Sequence, residues 1–152
     1  MAELFALDTS VYVRALRDTD SLAELKAFRK RAGLRLVLAG VVAMELMAGA
    51  VTEDHESAVG ELVQPYVARG LVLPVTYEGC LQAGRVLAAL QRHERLQLAR
   101  ARRSFTNDVL IAASCRAAGV LLVTDNARDF SAIQRHLRGF RFVAPWPLAL
   151  AR

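Results

Sequence analysis

Several short apolar runs punctuate this chain without alternating with polar residues. They are Leu4-Phe5-Ala6-Leu7, Leu36-Val37-Leu38, Leu71-Val72-Leu73 and Val120-Leu121-Leu122-Val123. A strand with one face in water alternates apolar and polar side chains, so an unbroken apolar run of strand length implies burial on both faces. That requirement is met by a parallel sheet covered by helices on each side. The segments between the runs are long enough to be those helices. The first run stops at Asp8-Thr9-Ser10, where Thr9 or Ser10 is expected to cap a helix. Helical patterning continues to about Ala32, interrupted near Asp18 to Ser21, and Gly33 stops it. A second strand is expected over 34–39, broken by Gly40, then a short helix over 41–50 and an amphipathic helix over 54–69 that tolerates Pro65. After a strand over 71–75, Thr76 caps a long helix reaching about Ala99, with Leu81, Val86, Leu87 and Leu90 on its apolar stripe. A helix over 105–118 ends at Gly119, the strand Val120–Val123 follows, and a helix over 130–137 and a strand near 141–143 complete the α/β alternation.

One domain spanning 1–152 accommodates this pattern, since 152 residues suffice for one core and leave little room for a second. Apolar residues at 54% exclude a disordered chain. Met1-Ala2-Glu3-Leu4 has no basic leader, and Glu45 and Arg116 interrupt the most apolar stretches, so a cytoplasmic protein with no membrane span is expected. Cys80 and Cys115 have no metal-ligand spacing and read as reduced core residues. The net charge of +5 divides unevenly: residues 1–91 carry 9 basic and 11 acidic side chains, residues 92–152 carry 11 and 4. Arg92, Arg95, Arg100, Arg102 and Arg103 form the densest basic segment; the planar fork of Arg suits the phosphates of a nucleic acid, against the plainer readings of a compositional bias toward Arg or a solvated helix face.

In a parallel α/β sheet ligands bind beyond the carboxyl ends of the strands. Asp8 follows the first run, Glu45 lies on the helix after the second, and Thr124-Asp125-Asn126-Ala127-Arg128-Asp129 follows the fourth. Asp108 opens the helix that leads into that fourth strand. Each acid alone has a plain reading: Asp8 as a helix cap, Asp108 as a first-turn dipole partner, Asp125 and Asp129 as turn or cap residues, Glu45 as half of a salt bridge. Together they place four chain-distant carboxylates at one sheet edge. Two carboxylates about 4 Å apart repel by roughly 4 kcal/mol at an effective dielectric of 20. A cluster of three or four therefore calls for protonation or a cation, and an all-oxygen donor set suits Mg²⁺ or Mn²⁺.

Leu7-Asp8-Thr9-Ser10, Met44-Glu45-Leu46, Asn107-Asp108-Val109-Leu110-Ile111-Ala112-Ala113 and Val123-Thr124-Asp125-Asn126-Ala127-Arg128-Asp129-Phe130 resemble the four acidic motifs of PIN domains, in particular the VapC-type toxins of bacterial type II toxin–antitoxin systems. The resemblance runs from about residue 4 to Trp146. It implies a three-layer α/β/α domain with a five-stranded parallel sheet and a metal-dependent endoribonuclease. Also implied are a cognate antitoxin that blocks the site, and a homodimer. Asp8, Glu45 and Asp108 match the first three acids of the family. The fourth is open between Asp125 and Asp129, with Asp129 preferred as ligand, directly or through water. Asn126 would orient water or phosphate, Asp125 departs from the family pattern, and Thr9 or Ser10 matches a hydroxyl that supports the first acid. Thr106 would cap the Asp108 helix or touch phosphate.

With water as nucleophile, cleavage leaves a 5′-phosphate and a 3′-hydroxyl. His55, His93 and His136 form no pair suited to metal-free transfer. A receiver-like switch lacks its late Lys, because the chain has only Lys26 and Lys30. An Asp-x-Asp phosphatase is excluded by Ser10, and no Gly-rich phosphate loop is present. A PIN-like domain without activity that binds RNA or a partner is the competing expectation.

Overall fold

The computed structural model describes residues 2–148. Its five strands, β1 (Leu4–Leu7), β2 (Leu36–Ala39), β3 (Val72–Leu73), β4 (Val120–Val123) and β5 (Phe142–Val143), form one sheet in the order β3-β2-β1-β4-β5. Every pairing is parallel, with Phe5 opposite Leu36 on one side of β1 and Leu121 on the other. Among the described residues, seven α-helices cover it in a three-layer α/β/α arrangement: α1 (Thr9–Arg17), α2 (Thr19–Ala32), α3 (Gly40–Ala48), α4 (Glu53–Ala68), α5 (Tyr77–His93), α6 (Arg103–Ala118) and α7 (Ala127–Gln134). Double-sided cover explains the apolar runs of β1 and β4: all four residues of β4 are buried, as are Phe5, Ala6 and Leu7 of β1, whereas the run at β3 lies at the sheet edge with Val72 exposed, so the expected burial on both faces fails there.

The chain winds outward from β1 through β2 to β3, then returns to the far side of β1 for β4 and β5. The switch point of the sheet therefore lies between β1 and β4, and the crevice beyond their carboxyl ends is where such folds place ligands. Asp8 and Thr124 are the first residues past those two ends, and the backbone N–H of Asp8 donates to the carbonyl of Val123 at 2.9 Å.

Several boundaries differ from the sequence expectation; the third strand is Val72–Leu73 and not 71–75, and α6 begins at Arg103 and not at 105. Residues Gly33–Arg35 form a 3₁₀ turn, so β2 begins at Leu36 and not at Leu34, which is 66% exposed. Helix α3 begins at Gly40 itself. Helix α5 stops at His93 and not near Ala99: Glu94 caps it, Arg95 turns the chain at φ 56°, and a 3₁₀ turn over Leu98–Arg100 leads to α6. Helix α7 begins at Ala127, three residues earlier than expected. Cys115 is buried as expected, but Cys80 is exposed, and Leu81 lies off the buried stripe of α5 at 39% exposure.

Candidate active site

Asp8 is 3% exposed and accepts three hydrogen bonds. It is the N-cap of α1, with Oδ1 taking the backbone N–H of Thr9 at 2.8 Å. Oδ2 takes the hydroxyls of Ser10 and Thr124, each at 2.8 Å. These donors make burial of the carboxylate tolerable, which it would not be alone. The expected cap at Thr9 or Ser10 is thus replaced by Asp8. That leaves both hydroxyls free to act in the site: Ser10 supports Asp8, and Thr9 reaches Glu45 Oε1 at 2.8 Å.

Glu45 follows from the geometry of α3. Val41, Val42 and Leu46 face the core, while Met44 and Met47 are 53% and 41% exposed. Glu45 lies between these faces, half-buried, and its second oxygen accepts the side-chain amide of Asn107 at 3.2 Å. Its compensation is therefore two neutral donors and not an Arg. Asn107 and Asp108 stand side by side in the second turn of α6, so one helix turn reaches Glu45 through Asn107 and carries the buried Asp108 into the same crevice.

Asn126 joins the remaining acids. It caps α7, its backbone N–H donates to Thr124 Oγ1 at 2.9 Å, and its side-chain Nδ2 donates to Asp108 Oδ2 at 3.3 Å and to Asp129 Oδ2 at 3.0 Å. Asp125 does not join them. Both its oxygens face the Arg14 guanidinium, at 2.9 and 3.1 Å. Arg102, the N-cap residue of α6, brings Nη2 to 3.5 Å from Asp129 Oδ2. Of the five arginines in the basic segment, Arg102 is the one that contacts these acids. Arg92 lies in the last turn of α5, Arg95 and Arg100 lie on the connection, Arg103 opens α6, and all are exposed. Thr106 lies inside α6, in its first turn and four residues past the Arg102 cap, and so is not a cap.

Electrostatics reflect this gathering of charge. Burial, and then the charges of Asp8, Glu45 and Asp129, push the Asp108 carboxyl up to about 8, with Arg102 acting weakly in the opposite sense. A divalent cation with oxygen preference fits such a surplus of negative charge. Among the described residues no three Asp, Glu, His or Cys side chains are drawn close enough to cage an ion. Hydroxyl and amide groups stand between the carboxylates instead. This spacing suits Mg²⁺, which keeps several waters and takes only one or two carboxylates directly. The structure adds two residues that sequence reasoning did not assign to the site, Thr124 and Asn107, while Arg14 holds Asp125 away from it. Thr124 and Asn107 were visible only as neighbours of the acids.

The sequence profile of the PIN domain family matches residues 5–135. Similar folds occur in chains of the DNA-bound VapBC from Salmonella typhimurium (TM-score 0.71, 21% identity, covering 93% of this chain and 98% of that one). They occur also in FitAcB from Neisseria gonorrhoeae (0.68, 18%, 95% and 100%). A third is VapBC-5 from Mycobacterium tuberculosis, a member of the VapBC family of toxin–antitoxin systems (0.57, 21%, 93% and 98%). No curated protein is a significant match in sequence.

Proposed function

The chain belongs to the PIN domain family, and from that premise we propose that it is a metal-dependent endoribonuclease, the toxin of a bacterial toxin–antitoxin pair. The observation that carries the reading is the Asn126 amide, which bridges Asp108 of α6 and Asp129 of α7 beside the Asp8 and Glu45 carboxylates at the sheet's switch point. The likeness to VapBC and FitAcB chains supports the toxin assignment and a cognate antitoxin as partner. A homodimer in the cytoplasm completes the reading.

Asp8, Glu45, Asp108 and Asp129 would hold Mg²⁺ or Mn²⁺. When bound, the ion lowers the pKa of water and neutralises charge developing on phosphate oxygens. The protein's own contribution is orientation. Ser10 and Thr124 fix the Asp8 carboxylate, Thr9 and Asn107 fix Glu45, and Asn126 sets the separation of Asp108 and Asp129. Arg102, with Arg92, Arg95, Arg100 and Arg103 nearby in sequence, would hold the RNA backbone against an otherwise repulsive acidic crevice. Hydrolysis by water gives a 5′-phosphate and a 3′-hydroxyl.

The test is cleavage of RNA by purified protein with Mg²⁺ or Mn²⁺. EDTA is expected to stop it and Asp8→Asn to abolish it; undiminished cleavage by that variant overturns the reading. The competing reading is a PIN-like domain that binds RNA or a partner without cutting. Metal-dependent RNA binding with no 5′-phosphate product would establish it.

A further inference from the structure

A second concave site lies at the opposite end of the sheet from the carboxylates. A cavity of about 200 Å³ opens where β2 begins, at Leu36, and just before β3, at Leu71. It is separated from the crevice beyond β1 and β4 by roughly the length of a four-residue strand, ~13 Å. Three cations line it, Arg29, Lys30 and Arg69, and no carboxylate does. Among the described residues none of the three is in an ion pair. Arg29 lies over the ring of Tyr66, 5.3 Å from its centroid, and the Tyr66 hydroxyl is hydrogen-bonded to buried Tyr12 at 2.9 Å. The Arg29 guanidinium is thus seated on a ring that is itself anchored in the core.

The plain explanation is compensation of helix dipoles, because α2 and α4 both end here. It accounts for only part of the charge. Two helix C-termini contribute about half a negative charge each, against three full positive charges. Some of their last carbonyls are also served by the backbone: Gly33 N–H donates to Arg29 O, Gly70 N–H to Val67 O, and Leu71 N–H to Tyr66 O. Compensation of the dipoles therefore does not use up the three charges, which leave a positive excess around a concave, partly apolar surface.

We infer that this cavity is an oxyanion site for a phosphate group, independent of the acidic crevice. Arg29 and Arg69 supply planar forks suited to two phosphate oxygens, and Lys30 supplies a point charge. The phosphate belongs either to a small free ligand or to the backbone of a bound RNA strand.

The probes are inorganic phosphate, adenosine monophosphate and a short single-stranded RNA, each titrated into the full chain in EDTA at about 0.15 M salt. Binding is followed at the backbone amides of Gly33, Leu36 and Leu71 by NMR. Saturable shifts at these amides are expected, weakened by about tenfold or more in Lys30→Gln/Arg69→Gln, a loss of ~1.4 kcal/mol or more. Both substituted residues are exposed and, among the described residues, in no ion pair, and unchanged amide positions elsewhere check the fold. Shifts with RNA at lower concentration than with phosphate assign the site to the backbone; shifts with phosphate and the mononucleotide alone assign it to a small ligand. Absence of saturation with all three probes, or equal binding by the double variant, overturns the site. Asp8→Asn is expected to bind phosphate as the parent does, so the outcome is separable from that of the nuclease reading.

Discussion

The side-chain amide of Asn107 lies 3.2 Å from the Glu45 carboxylate, joining residues 62 positions apart in the chain. Asn107 directly precedes Asp108, so one turn of α6 supplies one carboxylate and positions another. Asn107→Ala is expected to weaken Mn²⁺ binding by about 10- to 100-fold, the range seen when a group orienting a metal ligand is removed. Asn107→Gln is expected to recover part of the loss. Calorimetric titration of the metal checks this, and a fall in thermal stability with unchanged Mn²⁺ affinity would make the contact purely structural.

Asp125 and Asp129 are expected to part company in any activity assay. Asp125 is occupied with Arg14, whose side chain is 56% exposed, and an exposed pair of this kind contributes about 0–1 kcal/mol. Asp125→Asn should leave RNA cleavage within a few-fold of the parent and barely move the Tm. Asp129 faces Asn126 and Asp108, and Asp129→Asn should lose cleavage by orders of magnitude. Comparable rates for the two variants would place the fourth acid wrongly.

Much of the framework was legible because burial on both faces leaves a one-dimensional trace: β1 and β4 begin and end with their apolar runs. Asp8 was legible for the same reason, as the first polar residue past such a run. Its hydrogen bonds were not, since a capping Asp and a capping Thr look alike until the backbone shows which residue turns first. Glu45 stood out as a charge in an apolar helix, but its rescue by Thr9 and Asn107 needs three elements brought together. The end of α5 was missed because Leu96 and Leu98 carry the apolar spacing past His93. Only the turn at Arg95 and the grip of Arg135 and His136 on Glu94 end the helix there. Asn126 could be placed near the acids from sequence; that one amide bridges two of them is a fact of the fold.

The raised pKa of Asp108 makes the metal-free protein sensitive to pH in a definite sense. An unfolded Asp releases its proton near 3.8, whereas the folded Asp108 keeps it to about 8. Between these values the unfolded state binds fewer protons, so this residue's contribution falls as pH rises from about 4 to about 8 and is level above. In EDTA, the Tm of the parent minus that of Asp108→Asn should decrease across this window. Adding Mn²⁺ near pH 8 should raise the parent's Tm and leave the variant's much less changed. A difference that is flat with pH would mean that Asp108 is ionised in the folded protein throughout.

Thr124 connects the two halves of the crevice, donating its hydroxyl to Asp8 Oδ2 at 2.8 Å and accepting the Asn126 N–H at 2.9 Å. It is 1% exposed, so water cannot replace either bond without a rearrangement. Thr124→Val keeps the shape and leaves a buried carboxylate short of one donor and the partly buried Asn126 N–H without its acceptor. The expected cost is about 1–3 kcal/mol in unfolding free energy, read from urea denaturation, together with a large loss of RNA cleavage. Thr124→Ser restores the hydroxyl and is expected to recover most of the cleavage while losing stability for its missing methyl group. If the hydroxyl is what sets Asp8 and Asn126 in register, cleavage follows Ser and not Val. Equal cleavage by the two variants would mean that the crevice depends on the packing of residue 124 and not on its hydrogen bonds.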